Sequence, residues 1–197
     1  MEEVVMIALS AGHYPKDPGA CWPKDKPTFC EHEIAVEWIG LIALTVRQQI
    51  PLVVIPSGWL GDKVKAINAL KNCKLAVELH FNSSSSISAR GSETLYCPGS
   101  KNGLQAAITM QKYMSNIFPP NRGAKEGWYR MDRPGHIDYK SDIEGDEKID
   151  YFLGKTKPVA LIIEPEFIFN SMTIKKLRLP GCDAIASGIL AAYKELP

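Results

Sequence analysis

The amino-acid sequence predicts an α/β fold, a single domain in which a mixed, mostly parallel sheet carries helices on both faces. Three observations point there. Short apolar runs of strand length alternate along the chain with segments of helical period. Several of those runs stop abruptly in small polar residues, histidine or glutamate, as strands do where they reach a ligand crevice. No internal repeat or linker-like stretch divides the 197 residues, a length that one domain with a real core accommodates.

In chain order, Val4–Ser10 is apolar and opens into Ala11-Gly12-His13. Tyr14 to Phe29 reads as a loop rich in proline and lysine, with Gly19 and Trp22, placed to touch a ligand or to serve as a solvated connector. Glu31 to Gln49 has Ile34, Leu41, Ile42 and Val46 on one helical face, and its first turn favours a carboxylate through the helix dipole. His32 is expected on the surface of that helix. Pro51–Pro56 reads as a buried strand fenced by prolines, and Gly61 to Asn72 as a helix with Val64, Ile67 and Leu70 inward. The central stretch is Leu75-Ala-Val-Glu-Leu-His80, a strand that gives out at His80 and runs into Phe81-Asn82 and the serines 83 to 86, a small flexible turn. Ser92 to Cys97 is another strand, with Glu93 and Tyr96 as wall or supporting groups. Leu104 to Ile117 has helical period, its Ala107, Ile108, Met110, Tyr113 and Met114 expected in the core.

Asn121 to Lys157 is the least regular part, expected to be a long functional or solvated loop with Trp128, Tyr129, Arg133, His136, Tyr139 and an acidic run from Asp142 to Asp150. His136 is a candidate extra proton donor. Val159–Ile163 is the last strand and delivers Glu164-Pro165-Glu166; a closing helix from about Asp183 carries Ile185, Ile189, Leu190 and Tyr193.

Composition narrows the function. A formal net charge of +1 gives no field to draw in a nucleic acid. No stretch approaches the ~18–20 apolar residues of a membrane span. The acidic N-terminus enters a strand at once, without basic stretch, apolar signal core or cleavage site, so the expectation is a chain made in the cytoplasm with no membrane insertion. Five cysteines without a Cys-x-x-Cys pair argue against a disulfide scaffold or structural zinc knuckle. Cys73 and Cys97 read as buried thiols, and Cys21 and Cys30 lie where they could bridge one loop in an oxidising space.

The chemistry gathers at the strand ends. Three of them supply His13, His80 and Glu164, and the acidic pair Glu31 and Glu33 follows the first. Two histidines and one carboxylate with an open position make a catalytic zinc set, and a further glutamate outside that set serves as general base. Unrelated strand caps are the plainer alternative. Which carboxylate binds metal is open at this point.

These residues resemble the zinc-dependent N-acetylmuramoyl-L-alanine amidases of the amidase-3 type. The resemblance lies in Gly12-His13 after the first strand, and in Glu31 followed by Ile34 and Val36. It continues through His80-Phe-Asn82-Ser83, Gly91-Ser-Glu93-Thr-Leu-Tyr96 and Glu164-Pro-Glu-Phe167-Ile-Phe-Asn170, in family order across nearly the whole chain. Tyr14-Pro15 and Glu166 stand where the family has glycine. The resemblance implies a phosphorylase/hydrolase-like sheet, one catalytic domain over 1–197 without a separate wall-binding domain, and one Zn²⁺ held by His13, Glu31 and His80. It also implies Glu164 as general base and peptidoglycan as the substrate of a monomer, with Asn82, Glu93 and Asn170 supporting the site. A small amidase without signal peptide or wall-binding module is similar to a bacteriophage endolysin that reaches the wall once the membrane is permeabilised. The alternatives are a cytoplasmic wall-recycling amidase, another zinc peptidoglycan hydrolase (peptidase or deacetylase), and a wall-binding module without catalysis.

Overall fold

A computed structural model describes residues 6–133, 136–138 and 148–197, with side chains described for 6–128 and 148–197. Eleven strands and six helices occur among them. In chain order they are β1 (Met6–Ala11), the short pair β2 (Cys21–Trp22) and β3 (Phe29–Cys30), α1 (Glu31–Val46), β4 (Leu52–Val54), α2 (Leu60–Ala69), β5 (Cys73–Leu79), β6 (Ser92–Tyr96) and α3 (Lys101–Met114). There follow β7 (Asn121–Glu126), β8 (Trp128–Arg133), β9 (His136–Asp138), β10 (Lys148–Ile149), α4 (Tyr151–Lys155), β11 (Val159–Glu164), α5 (Ser171–Lys176) and α6 (Arg178–Glu195).

The main sheet has the order β4-β1-β5-β11-β6-β7. β4, β1, β5 and β11 are parallel; β6 runs antiparallel to β11 and parallel to β7. The mixed, mostly parallel α/β architecture is thus the one the sequence predicts. The strands' period of two divides their side chains between two cores. Ile7, Leu9, Leu75, Val77, Leu79, Leu161 and Ile163 meet α1, α3 and α6 on one face. Ala8, Ala76, Ala160 and Ile162 meet Val64, Ile67, Phe152 and Leu153 of α2 and α4 on the other. Both faces of the central strands are covered, which is why they read as continuous apolar runs.

Several expectations change. Pro51–Pro56 holds only a three-residue, half-buried strand at the sheet edge, since a proline at each end limits pairing. His32 is buried, not exposed: it shares a stripe of α1 with Ala35 and Ile39, and its Nδ1 lies 2.8 Å from the Gly12 carbonyl. Ile108 is half exposed, because the inward stripe of α3 runs through Ala106, Ala107, Met110 and Met114. Cys73 and Cys97 are partly rather than fully buried, at or just past a strand end. Cys21 and Cys30, by contrast, do form the bridge the sequence allowed, a disulfide across the β2–β3 pair.

The described residues of 121–157 are more regular than their sequence suggests. β7 joins the main sheet, β10-β8-β9 form a second small sheet, and α4 covers the second core. β7 reads Asn-Arg-Gly-Ala-Lys-Glu, an edge strand with no apolar alternation to betray it. The His136 side chain, Tyr139 and the acidic run over 142–147 lie outside the described residues. Among the described residues, no helix is long and apolar enough to cross a membrane.

Candidate active site

Each candidate group is delivered by the end of a regular element. β1 stops at Ala11, and the Gly12 amide donates to the Leu79 carbonyl at 2.8 Å, tying the turn to the end of β5. The next residue, His13, has φ +57°, a left-handed conformation that a side chain adopts at a cost of about 1–2 kcal/mol. Paired amide–carbonyl bonds between Tyr14 and Asp17, at 3.1 and 2.9 Å, hold the turn that follows. His80 arrives directly from β5, its amide donating to Ile163 of β11 at 2.9 Å.

Glu31 opens α1. The N-cap residue, Cys30, offers no side-chain cap; the Ala20 and Pro18 carbonyls instead accept from the amides of Glu31 and His32 at 2.9 and 3.0 Å. The loop before α1 therefore satisfies two of the helix's orphan donors. That leaves the Glu31 carboxylate, 4% exposed, free to turn inward.

The three groups converge. His80 Nδ1 lies 2.8 Å from Glu31 Oε1, and His13 Nε2 lies 3.3 Å from Glu31 Oε2. The amides of Phe81 and Ala20 donate to those same two oxygens, each at 3.1 Å. One ligand atom from each of His13, Glu31 and His80 lies within 4.8 Å of the others. Two imidazole nitrogens and a carboxylate oxygen so placed could hold a divalent metal ion. Glu33, by contrast, is exposed. Two glycines make the convergence possible. A Cβ on Gly12 would come within 2.5 Å of the His80 ring, and one on Gly19 (φ +73°) within 2.5 Å of His13 and 2.7 Å of Glu31 Oε2.

Electrostatics follow from the contacts. Burial works to raise Glu31, but hydrogen bonds and charge from His13 and His80 hold it far below the ordinary carboxylate range. Burial likewise opposes the charged form of His80, yet Glu31 and Glu78 raise it to about 10. Glu164, at the end of β11, is pushed the other way, to about 8. Burial is the largest cause, then the nearby negative charge of Glu93; Glu31 adds to the effect and His80 opposes it.

Glu93 faces Glu164 across the β11–β6 ladder. Its Oε1 accepts from Asn82 Nδ2 at 2.8 Å, and its Oε2 from Arg122 Nε at 2.6 Å and Lys125 Nζ at 2.7 Å. Burial pushes Glu93 up, but those two cations keep it ionised below its usual range. Asn82 and Asn170 sit beside the site as scaffold. Asn82 exchanges backbone bonds with Glu166 and Ile168 at 2.9 and 2.8 Å. Asn170 Nδ2 donates to Glu166 Oε1 at 2.9 Å and to the Ala89 carbonyl at 3.0 Å.

Sequence reasoning missed Lys63, Glu78, Arg122 and Lys125. Glu78 left a signal, a charge inside an apolar strand, which is almost never fully buried without a partner. Lys63 left a fainter one, on the apolar face of α2 beside Val64 and Ile67. Arg122 and Lys125 left none, because the strand that carries them shows no apolar alternation.

A His–Glu–His cluster beside a glutamate of raised pKa, at the carboxyl ends of a parallel sheet, defines a hydrolase-type site on an α/β domain. A family model described as N-acetylmuramoyl-L-alanine amidase matches residues 7–195, and the chain belongs to that family. Solved structures agree in fold. The catalytic domain of CwlV, an N-acetylmuramoyl-L-alanine amidase from Bacillus (Paenibacillus) polymyxa var. colistinus, superposes with TM-score 0.76 at 19% identity, over 98% of this chain and 100% of that one. The CwlD amidase of Clostridioides difficile, solved with the GerS lipoprotein, gives 0.74 at 20% identity over 96% and 98%. The catalytic domain of the CD27L endolysin targeting Clostridia difficile gives 0.68 at 24% over 95% and 97%. No curated protein matches the chain.

Proposed function

We propose that this protein is a zinc-dependent N-acetylmuramoyl-L-alanine amidase, hydrolysing the amide between the lactyl group of muramic acid and L-alanine in peptidoglycan. The observation that carries the reading is the convergence of His13, Glu31 and His80 donor atoms within 4.8 Å, on a chain of the amidase family. The donor set fits the metal: two nitrogens and one carboxylate oxygen, cradled by Gly12 and Gly19 where any Cβ would collide with a ligand ring.

His13, Glu31 and His80 would hold Zn²⁺, which when bound supplies a Lewis acid and a water acidic enough to react near neutral pH. The chain's own residues supply the rest. The Ala20 and Phe81 amides fix the plane of the Glu31 carboxylate. Glu164 takes a proton from the attacking water and delivers it to the leaving nitrogen of L-alanine. Burial and the neighbouring charge of Glu93 make the Glu164 carboxylate more basic than an exposed one, which suits it to carrying that proton. Glu93, anchored by Arg122 and Lys125, adds to the effect of burial in raising Glu164.

For the setting we propose a bacteriophage lysis enzyme acting on the wall after membrane permeabilisation; likeness to an endolysin catalytic domain supports it. The test is zinc analysis of the purified protein with mass analysis of muropeptides from digested sacculi. The expected result is about one zinc per chain, and free L-alanine amino termini on intact glycan. Cut peptide bonds or deacetylated sugars would move the chain to another peptidoglycan hydrolase, and protein that retains no zinc would sink the metal reading.

A further inference from the structure

We propose that the buried pair Lys63–Glu78 is an outer support for the metal donors: Glu78 fixes the ring of His80, and the pair thereby sets how tightly the site holds its metal. The inference rests on the metal reading above. Glu78 lies two residues before His80, and the strand's period of two directs both side chains to the same face. Lys63 of α2 is 3% exposed and Glu78 2%. Lys63 Nζ donates to Glu78 Oε1 and, at 2.9 Å, to the Ala11 carbonyl. The Ser10 hydroxyl donates to the same Oε1 at 3.4 Å. The other oxygen, Oε2, is left facing His80 Nε2 at 3.4 Å. The opposite ring nitrogen, Nδ1, faces Glu31 at 2.8 Å.

With a metal held beside Glu31, Nδ1 would give up its proton to become the ligand atom, and the ring's remaining proton would sit on Nε2, facing Glu78. Ligand histidines are commonly oriented in this way by a carboxylate on the far side of the ring. Stability alone gives no reason for the pair, since a buried ion pair is often no better than two apolar side chains of similar volume. Its contacts do give one. Lys63 pins the carbonyl just before Gly12-His13, and Glu78 touches His80, so one ion pair reaches both histidine-bearing strand ends. His13 has a weaker counterpart: its Nδ1 lies 3.7 Å from Asp17, whose side chain is 63% exposed. Glu78 is therefore a positioning residue for His80.

The test is zinc affinity, measured by competition with a chromophoric chelator on the whole chain. The variants are Glu78→Gln and the double variant Lys63→Met with Glu78→Met. The double variant keeps side-chain volume and removes both charges, so a cooperative fold is expected. Its zinc affinity should fall about 10- to 100-fold, with a changed absorption spectrum in the cobalt-substituted protein. Glu78→Gln, which keeps an acceptor but loses the charge, should fall between it and wild type. A folded double variant that binds zinc like wild type overturns the proposal. If the double variant does not fold, Glu78→Gln decides: unchanged affinity overturns the proposal and weakened affinity supports it. Wild-type protein that binds no zinc overturns the metal reading itself, an outcome distinct from both.

Discussion

Glu164→Gln in chelator-treated protein should be more stable than wild type at high pH and no more stable at low pH. Glu164 has its pKa raised from 4.5 to about 8 in the folded chain. Its folded state therefore binds a proton that the unfolded state gives up. For an acid raised in this way, ionisation penalises folding: the penalty is absent below pH 4.5, grows between 4.5 and 8, and is complete above. At roughly 1.4 kcal/mol per pH unit, it amounts to less than about 1 kcal/mol at pH 5, about 3 at pH 7 and about 5 at pH 9. Glu164 keeps some contact with solvent, which trims these figures by about half. Glutamine resembles the protonated acid and carries no such penalty. His80 and Glu31 titrate in both proteins, so their contributions largely cancel in the difference. Urea unfolding at the three pH values measures it; for a chain of this size each kcal/mol appears as about 2–4 °C in Tm. A stability difference that is the same at pH 5 and pH 9 would refute the electrostatic account of Glu164. The same substitution in zinc-loaded protein should keep the metal and lower turnover on sacculi about 10²–10⁴-fold.

Glu31→Gln should release zinc to a chelator that leaves Glu33→Gln loaded, because Glu31 meets both histidines while exposed Glu33 contributes at most a helix-end term of about 0.3–1 kcal/mol; a chelator titration giving the reverse order would move the ligand. Gly19→Ala should weaken zinc binding sharply, since its Cβ would press on His13 and Glu31, whereas Gly58→Ala, with open space around it, should bind as wild type. Reducing the Cys21–Cys30 disulfide, which joins residues nine apart, should lower stability by about 2–3 kcal/mol, read from unfolding with and without reductant.

The metal-site candidates were legible because each sits where a sequence pattern changes. His13 and His80 end apolar runs, and Glu31 begins a helical period. Choosing Glu31 over Glu33 needed the family resemblance, since the first turn of a helix welcomes either carboxylate. What was not legible depends on partners far away in sequence. Facing Glu93 with Glu164 requires the antiparallel register of β6 on β11, and nothing in the local sequence of either strand gives its direction. The cations that keep Glu93 ionised come from β7, whose polar sequence has no strand signature. His32 was misplaced because histidine reads as polar, while its burial follows from the stripe it shares with Ala35 and Ile39. The disulfide was legible in part: the sequence offered Cys21 and Cys30 as a pair across one loop, but the β2–β3 register that joins them is concealed by proline-rich sequence.

The donors of this site are oriented by chain segments that carry other donors. The Ala20 amide, which holds Glu31 Oε2, lies beside Gly19, and Gly19 packs on His13. The Phe81 amide, which holds Glu31 Oε1, belongs to the residue after His80. Gly12, before His13, is bonded to Leu79, before His80, and the space its missing Cβ leaves is filled by the His80 ring. Moving one donor therefore strains the segment that positions the next. His13 stays in its left-handed conformation, at about 1–2 kcal/mol, because the Tyr14–Asp17 bonds and these glycine contacts jointly determine it. Strain of that kind persists only where surrounding structure over-determines it. It follows that the donor geometry is built largely by folding, so that the metal ion proposed above would meet ligands already in place.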